Sequence, residues 1–141
     1  MVITREADYA VRLMVGLAKR TQGTVVSARA LSDEAGVPYE LARTILGNLA
    51  DAGILESRRG RSGGFLLARS ASQIQLREVL AVAGENLQLN ICVADPTHCG
   101  RSSDCPVHPI WTAASAVLRE FMSSQTLADL ANSKEPVEAP C

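Results

Sequence analysis

Apolar residues in the first fifty positions recur three and four residues apart, a spacing that predicts amphipathic helices. The first predicted helix covers residues 4–20, with Thr4 at its N-cap. A short second helix is predicted over 28–35 and a third over 38–52, and Gly36 lies in the turn between them. Two short helices joined by a tight, glycine-containing turn are typical of a helix-turn-helix.

Two short apolar runs, 54–55 and 65–67, follow these helices and predict a pair of β-strands. The residues between them, 58–64, contain three arginines and three glycines, and the glycines permit the tight loop of a hairpin. A further short helix is predicted over 73–83. A helix-turn-helix followed by a basic hairpin is a winged helix, so residues 1–83 are predicted to form a winged-helix DNA-binding domain.

Helical periodicity is absent from residues 84–109, which contain three cysteines and both histidines. A long irregular segment in a small protein is usually functional or disordered. Periodicity resumes over 110–131 with two apolar stripes, and such a helix usually covers its own domain with one face and a partner with the other. We therefore predict a dimerisation helix there, with Thr126 and Asp129 capping a last short turn, followed by a flexible tail at 132–141.

These elements predict a mainly α fold with a small β-hairpin wing: a winged helix-turn-helix plus a long dimerisation helix. The composition fits one folded domain, because 141 residues with 47% hydrophobic and 21% charged residues are ordinary for a globular chain. No apolar run is long enough to span a membrane, and the first ten residues lack the apolar stretch of a signal peptide. We therefore expect a cytoplasmic protein without a membrane partner, whose thiols stay reduced.

Charge is distributed unevenly along the chain, although the net charge is only −1. Residues 1–80 hold 11 Lys and Arg against 8 Asp and Glu, whereas residues 81–141 hold 3 against 7. Twelve of the 14 basic residues are Arg, whose guanidinium contacts phosphate and base edges through paired hydrogen bonds. The basic N-terminal part therefore suits a nucleic-acid partner.

The apolar stripe of the third predicted helix faces inward, which leaves its polar residues to face the major groove of DNA. From the wing we expect contacts with phosphate or the narrow minor groove. The predicted DNA-binding residues are Tyr39, Glu40, Arg43, Thr44, Arg58, Arg59 and Arg61. For Glu40, an ordinary solvated position on the helix is an open alternative. The three arginines within four positions of the wing repel one another and therefore need solvent or an anionic partner.

Three of the four cysteines fall within fourteen positions, as Cys92-x6-Cys99-x5-Cys105, and His108 follows after two further residues. Core packing does not explain them, because this segment has no apolar periodicity. Thiolates are soft ligands that bind iron–sulfur clusters, zinc or Cu(I). Three Cys and one His also form a closed zinc set, but zinc ligands usually stand closer in pairs, so the wide spacing favours a larger polynuclear centre.

Four segments in this order resemble the winged-helix iron–sulfur transcription regulators of the IscR and NsrR type. They are ADYAVRLMVGLA near the start, GVPYELARTILGNLADAGILESRRG in the centre, GGFLLARSASQIQLREVL around the wing, and the three-cysteine block with PVHPIW and TLADL. The resemblance covers roughly residues 2–131. One departure is the six residues between the first two cysteines, where five are usual.

The resemblance implies a homodimer in which the three cysteines of this block bind an iron–sulfur cluster and the winged helices bind a double-stranded DNA operator with an inverted repeat. Two candidates remain for the fourth ligand. His108 matches the members with a 2Fe–2S cluster, and Asp8 of the partner subunit matches those with a 4Fe–4S cluster. Asp8 is also explained as a first-turn carboxylate paired with Arg12, and the closer local match favours His108. Cys141 is interpreted as a bystander.

We interpret the chain as a dimeric transcription regulator whose operator affinity is controlled by a cluster that senses nitric oxide, redox state, iron supply or cluster status. One alternative keeps the winged-helix DNA binder but places a structural zinc ion or a thiol redox switch among the cysteines. A second alternative is a winged-helix protein-interaction module. The sequence contains no Gly-rich phosphate loop in the required context and no nucleophile elbow, so we expect no enzyme activity.

Overall fold

The helix-turn-helix lies in the N-terminal part of the chain, as predicted. The computed structural model describes residues 2–133. Helix α1 spans Arg5–Ala18, α2 spans Ala28–Ala35 and α3 spans Tyr39–Asp51, so each predicted end lies within two residues of the observed one. Gly36 follows α2 with φ 65°, a left-handed conformation that glycine adopts freely and that turns the chain directly into α3.

The wing is an antiparallel hairpin, also as predicted, in which β1 (Leu55–Arg58) pairs with β2 (Gly64–Leu67). One further pairing beside the hairpin was not predicted from the sequence pattern. Val26 pairs with Phe65 of β2 through two backbone hydrogen bonds, 2.9 and 2.8 Å long. This close approach requires glycine at 64, because a Cβ there would lie 2.2 Å from the Val26 carbonyl oxygen. The wing is thereby joined to the residue directly before the N-cap of α2.

Between the wing and residue 133, the chain forms four more helices. Two single 3-10 turns lie at Ala71–Gln73 and Pro96–His98, and the helices are α4 (Leu76–Val82), α5 (Ile91–Ala94), α6 (His108–Ser124) and α7 (Leu127–Asn132). The segment 84–109, predicted to be irregular, therefore contains one short helix and a 3-10 turn. Helix α6 begins two residues earlier than predicted, because Pro109 fits the first turn of a helix, where no intrahelical N–H bond is lost.

The helix predicted over 110–131 is interrupted at Gln125, which adopts an extended conformation. The Gln125 carbonyl accepts a hydrogen bond from Leu76 N–H at 2.8 Å, and Leu127 N–H donates to the Ile74 carbonyl at 3.0 Å. These bonds attach the chain to the segment just before α4, so the backbone of α6 cannot continue as a helix. Local periodicity could not reveal this long-range pairing.

The predicted cap of the last helix is confirmed. Thr126 Oγ1 accepts a hydrogen bond from Asp129 N–H at 3.2 Å, and the Asp129 carboxylate accepts from Thr126 N–H and from its hydroxyl at 2.9 and 2.8 Å. The hydrogen bond from the backbone, followed by that from the side chain, lowers the pKa of Asp129 because both stabilise the charged carboxylate. Of the predicted tail, Asn132 ends α7, and residues 134–141 with Cys141 lie outside the described residues.

Two hydrophobic clusters meet at α1. The larger contains the fully buried residues Leu13, Met14, Leu31, Leu46, Leu49, Ile74 and Leu127. The smaller consists of Ala7, Leu80 and Leu87, with Leu118 and Met122 of α6 packed against it. One face of α6 therefore covers its own domain.

A second face of α6 is apolar and exposed. Ile110, Val117 and Phe121 keep 62%, 67% and 59% of their surface accessible, whereas Trp111, on the side of Leu118 and Met122, keeps 39%. The two apolar faces agree with the sequence pattern, and the partner expected on the outer face stays a prediction. Among the described residues, no helix combines the length and apolar character needed to cross a bilayer.

Leu127 anchors α7 in the main core, so Leu127→Ala should lower the free energy of unfolding by about 2–5 kcal/mol through lost burial and a residual cavity. Urea unfolding followed by circular dichroism at one fixed protein concentration measures this loss. Val2→Ala, at a position 85% exposed, is the control and should stay within about 0.5 kcal/mol of wild type. An unchanged midpoint for Leu127→Ala would contradict the packing described.

Candidate nucleic-acid interface and metal centre

Helix α3 carries the residues predicted to contact DNA on its outward side. Glu40, Arg43 and Thr44 are exposed, and Tyr39 is half-buried at the start of the helix. The inward side is buried through Ala42, Ile45, Leu46 and Leu49. The outward side chains are therefore accessible to a groove of DNA, and their individual contacts stay predictions.

The positive charge on α3 is only weakly neutralised. Arg43 Nη1 lies 3.5 Å from Glu40 Oε2, and these two side chains are 58% and 81% exposed. An exposed ion pair of this kind contributes about 0–1 kcal/mol. Little free energy is therefore lost when Arg43 leaves Glu40 for an anionic partner.

The wing loop holds its arginines away from the core. Arg58, Arg59 and Arg61 are all exposed. Arg58 Nη2 lies 3.1 Å from Glu56 Oε2, whereas Arg59 and Arg61 form no ion pair within residues 2–133. Gly63 permits the tight turn, because a Cβ there would lie 2.4 Å from the Arg58 carbonyl oxygen. Unpaired guanidinium groups at the tip of a hairpin suit contacts with phosphate.

One cation beside α3 was missed by the sequence reasoning. Arg29, in the first turn of α2, places its Cζ 3.7 Å from the centroid of the Tyr39 ring. Arg43 Cζ lies 5.8 Å from the centroid of the same ring. The helical spacing of α2 placed Arg29 on the side away from the buried Leu31, but only the tertiary fold brings it to α3.

The first thiol of the cysteine segment and its histidine come together. Cys92 lies on α5, and its Sγ is 3.5 Å from Nδ1 of His108, the first residue of α6. Cys92 is half-buried and its thiol is free, as are the thiols of Cys99 and Cys105. A thiol and an imidazole facing each other at this distance form half of a tetrahedral ligand set for a soft metal.

The other two thiols are less enclosed. Cys99 is exposed and lines an open hollow of about 350 Å³ together with His108 and Ser102, and Cys105 is half-buried. Within residues 2–133, no three Cys, His, Asp or Glu side chains converge closely enough to hold a metal ion. The donor chemistry thus fits a thiolate-bound metal centre, but in this conformation the donors do not converge on one point.

A hydrogen-bonded turn separates the first two thiols. The Asp95 carboxylate accepts from the Thr97 hydroxyl at 2.6 Å and from Thr97 N–H at 3.0 Å. The side-chain hydrogen bond first, and then the backbone one, lower the pKa of Asp95. The turn therefore orders the loop between Cys92 and Cys99, and both of its hydrogen bonds from Thr97 are accepted by the Asp95 carboxylate.

Asp8 lies apart from the thiols on α1. Its Oδ2 is 2.7 Å from Arg12 Nη2, and the two side chains are 49% and 53% exposed. This pair matches the simple explanation of Asp8 as a first-turn carboxylate. Asp8 also lines a separate open hollow with Arg5 and Tyr9. Its role as a ligand to the partner subunit's cluster stays a prediction.

The connection between α4 and α5 attaches the cysteine segment to α1 and α6. Glu85 Oε1 accepts from Thr4 N–H at 2.8 Å, and Leu89 N–H donates to Oγ of Ser115 at 3.0 Å, a fully buried residue of α6. Between them, Leu87 is 1% exposed and has φ 54°, a left-handed conformation uncommon for leucine. Such a conformation persists only where the surrounding structure maintains it.

The family of the chain indicates what class of protein contains both the α3 and wing surface and the cysteine segment. The family model Rrf2, described as an iron-dependent transcriptional regulator, matches residues 3–133, which include every helix and both strands described above. The chain belongs to the Rrf2 family. As an Rrf2 protein it is a DNA-binding transcriptional regulator with a winged-helix fold.

Two proteins of similar sequence are named as transcriptional regulators, in agreement with the Rrf2 assignment. Rv1287 of Mycobacterium tuberculosis, named as an HTH-type transcriptional regulator, is 34% identical over 138 residues, which cover 96% of this chain and 84% of the relative. IscR of Escherichia coli, also named as an HTH-type transcriptional regulator, is 28% identical over 138 residues, covering 98% and 85%.

Solved structures agree on the fold. CymR of Staphylococcus aureus in its oxidized form superposes with a TM-score of 0.75 at 23% identity, covering 96% of this chain and 100% of CymR. IscR of T. potens superposes with a TM-score of 0.70 at 23% identity, covering 92% and 85%. At these identities the two structures support the winged-helix fold of this Rrf2 protein and say nothing of its ligand.

Ser115→Ala should lower the free energy of unfolding by about 1–3 kcal/mol, because the Leu89 N–H would lose its acceptor at a buried position of α6. Amide hydrogen exchange should also accelerate over residues 85–90. Ser123→Ala is the matched control on α6, since the Ser123 hydroxyl donates only to the Arg119 carbonyl of the same helix. Equal stability and exchange in the two variants would contradict an anchoring role for Ser115.

Proposed function

We propose that this Rrf2 regulator binds its operator as a homodimer and that an iron–sulfur cluster in the cysteine segment controls its affinity for DNA. The observation that carries the proposal is the 3.5 Å approach of Cys92 Sγ to His108 Nδ1. It places soft metal donors at the first residue of α6, the helix whose outer face is apolar and uncovered. Nitric oxide, redox state, iron supply or cluster status would be the signal.

The outer face of α6 supports the proposed dimer. Ile110, Val117 and Phe121 share one side of α6 at helical spacing and are all exposed, and exposed apolar patches mark interaction sites. We propose a second copy of this chain as the partner, because the same face on two copies closes a symmetric dimer. Two winged helices related by such an axis would bind an inverted repeat with half-sites a whole number of helical turns apart.

The donor set fits an iron–sulfur cluster. We propose Cys92, Cys99 and Cys105 as thiolate ligands and His108 as the fourth ligand, with Asp8 of the partner subunit as the alternative. Thiolates and imidazole are the ligands that 2Fe–2S centres use, and the cluster supplies a soft centre whose charge changes with its oxidation state. The binding step itself requires the exposed Cys99 to approach the Cys92–His108 pair.

The chain's own side chains connect that loop to the DNA interface. The connection that contains Glu85, Leu87 and Leu89 is bonded to the start of α1 and to the middle of α6. Helix α1 packs directly against α2 and α3. A rearrangement of the cysteine segment would therefore change how each recognition helix is placed relative to that of the partner subunit, and a shift of a few ångström weakens one half-site contact.

A thiol redox switch is the second candidate function, and one observation favours it. Cys92, Cys99 and Cys105 are free thiols in a segment whose Cys99 is exposed. The structurally similar CymR of Staphylococcus aureus is known in an oxidized form. In this candidate hydrogen peroxide oxidises two of these thiols to a disulfide and is itself reduced to two water molecules, which would close the same loop. A structural zinc ion is a further variant that uses the same donors.

Purification without oxygen should give a coloured protein that contains iron and sulfide. Alanine at Cys92, Cys99 or Cys105 should remove the colour, and Cys141→Ala, the remaining cysteine, should leave the absorption spectrum unchanged. His108→Ala should alter the spectrum and Asp8→Ala should not, and the opposite result would assign Asp8 as the ligand. A colourless protein with bound zinc, or with reversibly oxidised thiols and no metal, would replace the cluster with one of the alternatives.

The wing arginines should contribute to DNA affinity through phosphate. Arg59→Ala and Arg61→Ala should each weaken binding to a duplex selected from a random pool, and should flatten the plot of log K against log salt by about 0.9 for each phosphate that is no longer neutralised. Fluorescence anisotropy over a series of salt concentrations measures both effects. Arg77→Ala, which removes an exposed arginine of α4, is the control. Wing variants with the affinity and slope of wild type would exclude this interface.

A further inference from the structure

We propose that Arg29, on the first helix of the helix-turn-helix, is a further DNA-contacting residue and that the Tyr39 ring holds its guanidinium in position against a phosphate. The inference rests on the proposed DNA interface and extends it to a helix from which no contact was expected. It assigns Tyr39 a positioning role in addition to any contact of its own.

The geometry is that of direct stacking. Arg29 Cζ lies 3.7 Å from the centroid of the Tyr39 ring, a distance at which the planar guanidinium lies on the face of the ring. Arg43 Cζ, at 5.8 Å, lies near the outer limit of such contacts. One half-buried phenol ring therefore contacts two cations that come from two different helices.

The electrostatics of this group indicate an anionic partner. Among residues 2–133, Arg29 forms no ion pair with a carboxylate, and Arg43 has only the long, exposed pair with Glu40. Two guanidinium groups that share one ring repel each other, and a single weak pair does not balance them. A stack that served only packing would need one guanidinium group. A second exposed guanidinium group near the same ring would not stabilise it further.

Within residues 2–133, the Arg29 guanidinium has no side-chain hydrogen bond or ion pair beside its stack on Tyr39. A guanidinium on an aromatic face still presents its N–H groups outward, in a fork that matches the oxygens of a phosphate. In a helix-turn-helix the first helix crosses the DNA backbone while the second enters the major groove. Arg29 lies in the first turn of that first helix, so a backbone phosphate is its expected acceptor and a base edge is not.

The test uses the full chain, purified without oxygen, and the duplex selected from a random pool by the wild-type protein. Arg29→Ala should weaken binding about tenfold, the change expected for one hydrogen bond between charged groups, and flatten the salt dependence by about 0.9. Arg29→Lys keeps the charge without the stack and should keep most of the salt slope at intermediate affinity. Arg29→Gln, which keeps most of the stem, replaces Arg29→Ala if that variant does not fold.

The positioning role has its own readout. Tyr39→Phe keeps the ring, so Arg29→Ala should cost as much affinity in that variant as it does in wild type, whereas Tyr39→Ala should itself reduce affinity. Adding Arg29→Ala to Tyr39→Ala should cost clearly less than Arg29→Ala costs alone, because the stack that positions Arg29 is already absent. Additive losses in this double-mutant cycle would overturn the positioning role.

The controls separate this inference from the proposed interface. If Arg29→Ala and Arg29→Gln bind like wild type while Arg59→Ala weakens binding, the inference fails and the interface stands. If Arg59→Ala and Arg43→Ala also bind like wild type, the proposed interface itself fails. A changed preferred sequence with an unchanged salt slope in Arg29→Ala would overturn the assignment to phosphate and indicate a base contact.

Discussion

Burial of α1 is the packing constraint on which the rest of the structure depends. Its fully buried face contacts α2, α3, α4 and α7, and it contributes to both hydrophobic clusters. Ala7 and Ala10, at 0% and 1% exposure, leave room for neighbouring helices to approach closely. Because Ala7 packs with Leu87 while Ala10 belongs to the core of the helix-turn-helix, one helix links the segment between α4 and α5 to the helix-turn-helix.

Much of the fold could be predicted, because its helices are amphipathic and its turns use characteristic residues. Helix α2 has the bounds that its spacing and Ser27 predict, and Gly36 marks the turn after it. The errors lie where distant backbone segments pair. The bridge of Val26 to Phe65 and the break at Gln125 depend on hydrogen bonds to residues many positions away, and local periodicity contains no information about them.

The same difference between local pattern and long-range contact applies to the candidate site. Residue type and spacing were enough to predict the thiols, His108 and the wing arginines as candidates, because soft donors and clustered cations are unusual outside functional segments. They could not reveal that Cys92 faces His108 while Cys99 remains exposed, since that depends on how α5 meets α6. Arg29 was missed for a related reason: an arginine on an exposed helix side is ordinary until the fold places it on the Tyr39 ring.

The bridge between Val26 and the wing has a consequence for how DNA binding can be regulated. With Gly64 in direct contact with the Val26 carbonyl, the wing and the helix-turn-helix are joined by two backbone hydrogen bonds at the residue directly before the cap of α2. The spacing between the wing and the helix-turn-helix within one subunit is thus set by the folded domain. In a dimer, the adjustable quantity would be the distance and angle between two rigid readers, so an effector would select among operators by the separation of their half-sites.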